Sequence, residues 1–87
     1  MRLRGMTDQT YLIKRRIEIG QNIRNERRRR GSSQEEAAEQ LGCSRARVNR
    51  VEKGHTEFGV AELELLASQM RVPLNRLISI SSQQAPG

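Results

Sequence analysis

The feature that most limits what this chain can fold into is a pattern of start and stop signals between Gly31 and Gly54. In Ser33-Gln34-Glu35-Glu36 the serine hydroxyl can accept from the third helical N–H while Glu36 reaches back to the serine N–H, the reciprocal capping box that opens a helix. Ala37, Ala38 and Leu41 carry that helix to Gly42, which ends it. Ser44 then caps a second short helix with Val48 and Val51 on one face, and Gly54 stops it. Two short helices are thus joined through Leu41-Gly42-Cys43-Ser44 alone.

The flanks read as helices too. Ile17, Ile19 and Ile23 space a sparse apolar face from Ile17 to Arg30, ended by Gly31. After a polar connection from His55 to Gly59, Leu63, Leu66, Ala67 and Met70 mark a core-forming helix over Val60 to Met70. Pro73 suits a first helical turn, so Pro73 to about Ile80 reads as a last helix with Leu74, Leu77 and Ile78 apolar. Aromatic content of 2% and a charged fraction of 30% fit an all-α domain with an aliphatic core. The expected division is an N-terminal extension over 1–14, partly flexible, a helical domain over 15–80 and a disordered tail over 81–87. Tyr11, Leu12 and Ile13 form an apolar patch suited to docking on the domain or on a second subunit. With 87 residues there is one small core, and a homodimer that buries more apolar surface is expected.

A formal charge of +6 favours a polyanionic partner, because cations placed near phosphates release condensed counterions. No apolar run approaches the length of a membrane span, and no signal-peptide core is present, so a cytoplasmic protein is expected. The lone Cys43 reads as a small packing residue in the turn, and with one histidine no metal-ligand cluster forms, so neither metal nor cofactor is expected. No set of histidine, cysteine and carboxylate suits an enzyme.

The helix from Arg45 to Lys53 carries the function. At 100° per residue Arg45, Asn49, Lys53, Ala46 and Arg50 share an arc of about 140°, opposite Val48 and Val51, with Arg47 and Glu52 at the margins. Long donors around one small residue suit a major groove, with Arg45 and Arg50 reaching guanine and Asn49 adenine. A solvated basic face is the plain alternative. Gln34, at the first turn of the preceding helix, can offer its amide and free backbone N–H groups to a phosphate.

Ile19-Gly20, Ile23-Arg24, Arg27, Gly31, Ser33 to Ala38, Leu41 to Ser44, Val48, Val51 to Gly54, Leu63, Leu66-Ala67, Val72 and Leu77 together resemble the Xre-type helix-turn-helix family of phage lambda-type repressors and Cro, over about residues 17 to 79. The resemblance implies a five-helix lambda-repressor-like domain that binds double-stranded DNA as a dimer, with its third helix in the major groove. Ser44, Arg45, Ala46 and Arg50 fall on the family's base-contacting positions; Ser33, Gln34 and Lys53 fall on phosphate-contacting ones. Arg27 and Glu52 match an ion pair between the first and third helices. Arg47 and His55 complete the expected phosphate contacts, with plain surface exposure as the other reading of His55, while Arg28, Arg29 and Arg30 read as a solvated helix end. The chain departs from the pattern at Glu26, where a core leucine is usual, at Ala37 in place of leucine, and at Phe58 in place of proline.

The expected function is a sequence-specific transcriptional regulator, a repressor on a palindromic operator in a bacterial or phage nucleoid. RNA polymerase is a further partner if it also activates. The alternatives are an antitoxin and, outside this class, a protein-interaction or RNA-binding module on the same fold.

Overall fold

Five helices follow one another in the computed structural model, which describes residues 8–80: α1 (Asp8–Arg29), α2 (Gln34–Leu41), α3 (Arg45–Glu52), α4 (Val60–Met70) and α5 (Asn75–Ile78). The fold is all-α, and the described residues contain no strand. The capping signals act as the local chemistry dictates. Ser33 Oγ accepts from the Glu36 N–H at 3.0 Å while Glu36 Oε1 accepts from the Ser33 N–H at 2.8 Å. Gly42, at φ 68°, closes α2 in the left-handed region, and Ser44 Oγ accepts from the Arg47 N–H at 3.1 Å to open α3.

The first helix starts at Asp8, earlier than the apolar spacing from Ile17 indicates, and it runs through the boundary expected between extension and domain. Its opening turns show no clean periodicity because they bury little: Leu12 and Ile13 are largely exposed. Residues 1–7 of the expected extension and the tail over 81–87 lie outside the described residues.

All five helices feed one aliphatic core. Ile23, Val48, Val51, Leu66 and Leu77 are sealed from solvent, and Ala37, Ala38, Leu63, Ala67 and Met70 pack around them. Phe58 is buried with them, so the residue that departs from the family pattern serves as a core side chain in the α3–α4 connection. Cys43 is half-buried against this core, beside Leu41.

Two polar seams fix the positions of α3 and α5 on α1. On the α3 side the backbones nearly touch: a Cβ built on Gly20 would clash with the Val51 carbonyl and lie 2.9 Å from that of Glu52. A Cβ on Gly54, whose φ is 80°, would lie 2.9 Å from the Ile17 Cα. On the α5 side the Asn22 amide donates to the carbonyls of Leu77 and Ser79 at 3.1 and 3.0 Å, and Arg15 donates to that of Ile78. An isolated helix of four residues has no stability of its own, so these donors and the burial of Leu77 hold α5 in place.

Glu26, the second departure, is buried, yet its carboxylate is satisfied. Its Oε2 accepts from Arg76 Nη1 of α5 at 3.1 Å and from Arg29 Nη1 at 3.4 Å. The expected loss of a core leucine is thus offset by an ionic tie between α1 and α5.

Gly20→Ala forces α1 and α3 apart, and overpacking of this kind costs on the order of 1–3 kcal/mol. Urea unfolding should show that loss, with the midpoint lowered and the slope unchanged.

Candidate nucleic-acid interface

The orientation of α3 is set by one carboxylate. Glu52 is 4% exposed and lies at the inner end of α3. Its Oε2 accepts from Arg27 Nε of α1 at 2.7 Å, and its Oε1 accepts from Arg27 Nη2 and from Gln34 Nε2 of α2, both at 3.0 Å. The third Arg27 nitrogen, Nη1, donates to the Ser32 carbonyl at 2.8 Å. Those bonds to Glu52 raise the Arg27 pKa beyond its already high value, keeping the guanidinium charged. One buried fork therefore ties the first helix, the α1–α2 turn and the third helix together, and Gln34 adds the second.

Gln34 Nε2 also donates to Asn49 Oδ1 at 3.2 Å. Its amide hydrogens are thus turned toward α3, whereas the sequence reading offered them to a phosphate. What the start of α2 keeps for an anion is backbone N–H and the Ser33 hydroxyl hydrogen, since Ser33 Oγ acts as the cap acceptor. Asn49 is half-buried, and with Oδ1 occupied by Gln34 it presents chiefly N–H donors outward.

Along the outer side of α3 the side chains are free of this network. Ser44, Arg45, Ala46, Arg50 and Lys53 are exposed, as is His55 just beyond the helix. The His55 N–H closes the end of α3 on the Arg50 carbonyl at 2.9 Å. Arg45, Asn49 and Lys53 form one wall of a cleft of about 410 Å³, with Ser33 and Gln34 at its end. Its other wall is α1, which contributes Arg24 and Arg28 beside Arg27. From the sequence alone Arg28 reads as part of a solvated helix end, and Arg24 carries no expected role. The signal was present: Arg24 and Arg28 stand four apart on the side of α1 that carries Arg27, so fixing Arg27 on α3 brings both to the same edge.

Arg47, expected at a phosphate, is engaged here with α4. It makes a two-pronged salt bridge with Glu62 of α4, at 2.5 and 2.9 Å, and its guanidinium lies 4.9 Å from the centre of the Phe58 ring. Glu62 also accepts from the Gly59 N–H at 2.9 Å, at the start of α4. The Arg47 hydrogen bonds, with the Gly59 N–H second, pull the Glu62 carboxyl from its ordinary 4.5 down to about 2. Arg47 thus joins α3 to α4.

An exposed, donor-rich helix fixed by a buried network behind a glycine turn, with cations along both walls of the adjoining cleft, defines the class: a helix-turn-helix DNA-binding domain. The chain belongs to the HTH_3 helix-turn-helix family, whose sequence model matches residues 23–77. It is a DNA-binding transcriptional regulator. Its structure is similar to that of the restriction-modification controller protein C.AhdI from Aeromonas hydrophila, at 29% identity and a TM-score of 0.66, over 71% of this chain and 94% of that one. It is also similar to the hypothetical transcription factor NHTF from Neisseria, at 25% identity and a TM-score of 0.73, over 97% and 93% of the two chains. A third, an HTH_3 family transcriptional regulator from Vibrio cholerae, shares the fold at 23% identity and a TM-score of 0.71, covering 84% of this chain and 41% of that longer one. No curated protein sequence matches the chain. Among the described residues no helix is long and apolar enough to cross a membrane, and no cluster of three His, Cys, Asp or Glu side chains is placed to hold a metal ion.

Arg27→Met leaves the buried Glu52 charge without its main partner, a loss of about 3–5 kcal/mol that a urea titration at neutral pH measures. Acid acts on the second tie. Because the folded-state pKa of Glu62 lies below its unfolded value, its contribution is complete above about pH 4.5 and is lost as pH falls toward 2. Glu62→Gln should therefore flatten the fall in urea midpoint between pH 5 and about 2.5 relative to the unaltered protein.

Proposed function

We propose that the chain is a sequence-specific repressor that binds a palindromic operator as a homodimer, reading bases with Ser44, Arg45, Ala46, Asn49 and Arg50. The observation that carries this reading is that these side chains lie along one side of α3 while the buried Arg27–Glu52–Gln34 network fixes the rotation of that helix. Preorganisation matters because a base contact is informative only if the donor arrives in one register. Arg45 and Arg50 have the planar fork that meets guanine O6 and N7, and Ala46 leaves room for the helix to approach. Asn49, presenting N–H donors, suits a purine N7 acceptor. Ser33, the first backbone N–H groups of α2, Lys53 and His55 grip the phosphates, joined by Arg24 and Arg28 across the cleft.

Dimerisation follows from the length of the reading helix. The eight residues of α3 span about 12 Å, room for only a few base pairs at roughly 3.4 Å each. A two-fold copy doubles the site, with half-sites about one helical turn apart. Exposed Leu12, Ile13 and Ile17 on α1 and Val60 and Leu65 on α4 supply apolar surface that a second copy can cover. Repression needs nothing beyond occupying DNA that polymerase must use.

Selection of bound duplexes from a random pool at near-physiological salt tests the reading. A palindrome held at least about a thousand times more tightly than scrambled DNA is the expected result, and the absence of any enriched site would refute it. Within that site Arg50→Ala should cost about 1–3 kcal/mol and relax preference at one base position per half-site. Arg28→Ala should weaken all sequences alike and reduce the salt slope by about one per half-site.

A further inference from the structure

The C-terminal half of α1 has a second cationic side that the DNA-reading surface does not use. Arg24, Arg27 and Arg28 line the cleft with α3, whereas Asn25, Glu26 and Arg29 line a cleft of about 660 Å³ with Asn75 and Arg76 of α5. Here too a buried carboxylate anchors guanidinium groups, but whereas Arg27 on Glu52 is nearly enclosed, the two arginines on Glu26 remain open to solvent. Arg29 and Arg76 each donate through Nη1 to the same oxygen, Glu26 Oε2, yet their side chains are 64% and 49% exposed. A guanidinium carries five N–H donors, so this shared oxygen fixes the two forks close together without exhausting them. The exposed amides of Asn25 and Asn75 border the same cleft, and Arg30 and Arg71 stand at its continuation beside Arg29 and Arg76. Arg30 is held there by a hydrogen bond to the Arg71 carbonyl at 3.2 Å. Among the described residues, the only carboxylate lining either part is Glu26, already paired.

We propose that this α1–α5 cleft is a phosphate-binding site, in which a tetrahedral dianion bridges Arg29 and Arg76 and takes further hydrogen bonds from Asn25 and Asn75. Two converging forks offer paired N–H groups to adjacent phosphate oxygens, the geometry in which arginine binds phosphate most strongly. Concavity and amide donors suit a single phosphate group more than a flat surface would. The same chemistry is carried by a phosphorylated small molecule and by the backbone of a duplex that continues past the reading helix. In either case a bound phosphate links α1 to α5 and so stiffens the seam that holds the last helix.

The test is titration of the full chain, free of DNA, with inorganic phosphate and pyrophosphate at ionic strength held constant with chloride, followed by amide resonances. Saturable shifts of the Asn25 and Asn75 side-chain amides are expected. They should be weakened about tenfold by Arg29→Gln, which leaves Arg76 on Glu26 and the fold intact, and kept in Arg28→Gln, which removes a cation from the DNA side. A second arm compares a duplex ending at the half-sites with one extended by about a helical turn at each end. Loss of affinity in Arg29→Gln for the extended duplex alone identifies DNA as the source of the phosphate. The proposal is overturned if free phosphate shifts only α2 and α3 resonances, or shifts those of the cleft without saturation or equally in Arg29→Gln, and the extended duplex is also bound equally by both proteins. That result leaves the operator-reading function untouched, since duplex selection measures it separately.

Discussion

The geometry of this small domain depends on a buried carboxylate that must never be left alone. Taking Glu52 out of water is costly, and the fold recovers that cost only when the Arg27 fork and the Gln34 amide are both seated on it. Because those partners come from α1 and α2, the requirement links the orientations of three helices at one point. Aliphatic burial alone tolerates sliding and rotation, since hydrophobic contact has no direction. Short hydrogen bonds to a charge do not. The apolar core drives collapse, and Glu52 selects which collapsed arrangement persists.

The two sides of α1 solve different problems with the same device. Toward α3, Gly20 removes a side chain so that backbones meet, and the ionic pair aligns them. Toward α5 the task is to hold a helix too short to persist, and Arg15, Asn22 and Glu26 do so through its terminal carbonyls and Arg76. A leucine at position 26 would contribute more apolar burial but would leave Arg76 without an anchor. The departure from the family pattern therefore exchanges a nondirectional contact for one that specifies where α5 lies.

Much of this was legible in the chain itself. Ser33, Glu36, Gly42 and Ser44 act on their own neighbours, so caps, turn and the boundaries of α2 and α3 could be read from adjacent residues. The buried faces of α3 and α4 follow from helical spacing alone. Legibility ends where partners are distant. A helical wheel places Arg47 at the margin of α3 but carries no information about Glu62, and it gives Gln34 donors without saying that Asn49 and Glu52 receive them. The satisfaction of Glu26 by Arg76, across most of the domain, is of the same kind. The early start of α1 was missed for another reason: Leu12 and Ile13 are largely exposed, so no buried stripe marks the helix there.

The hydrogen bond from Gln34 to Asn49 divides the surface of α3 into parts with different histories open to them. Arg45, Ala46 and Arg50 lie outside the network, so exchange at these positions alters the chemical face of the helix while its placement is preserved. Asn49 has less freedom, because a replacement there must still accept a hydrogen bond from Gln34 or leave that amide to rearrange beside Glu52. New binding preferences in a lineage of such domains can therefore accumulate at three positions as independent small steps. Changes at positions 34, 49 and 52 are instead coupled through the hydrogen bonds these residues share.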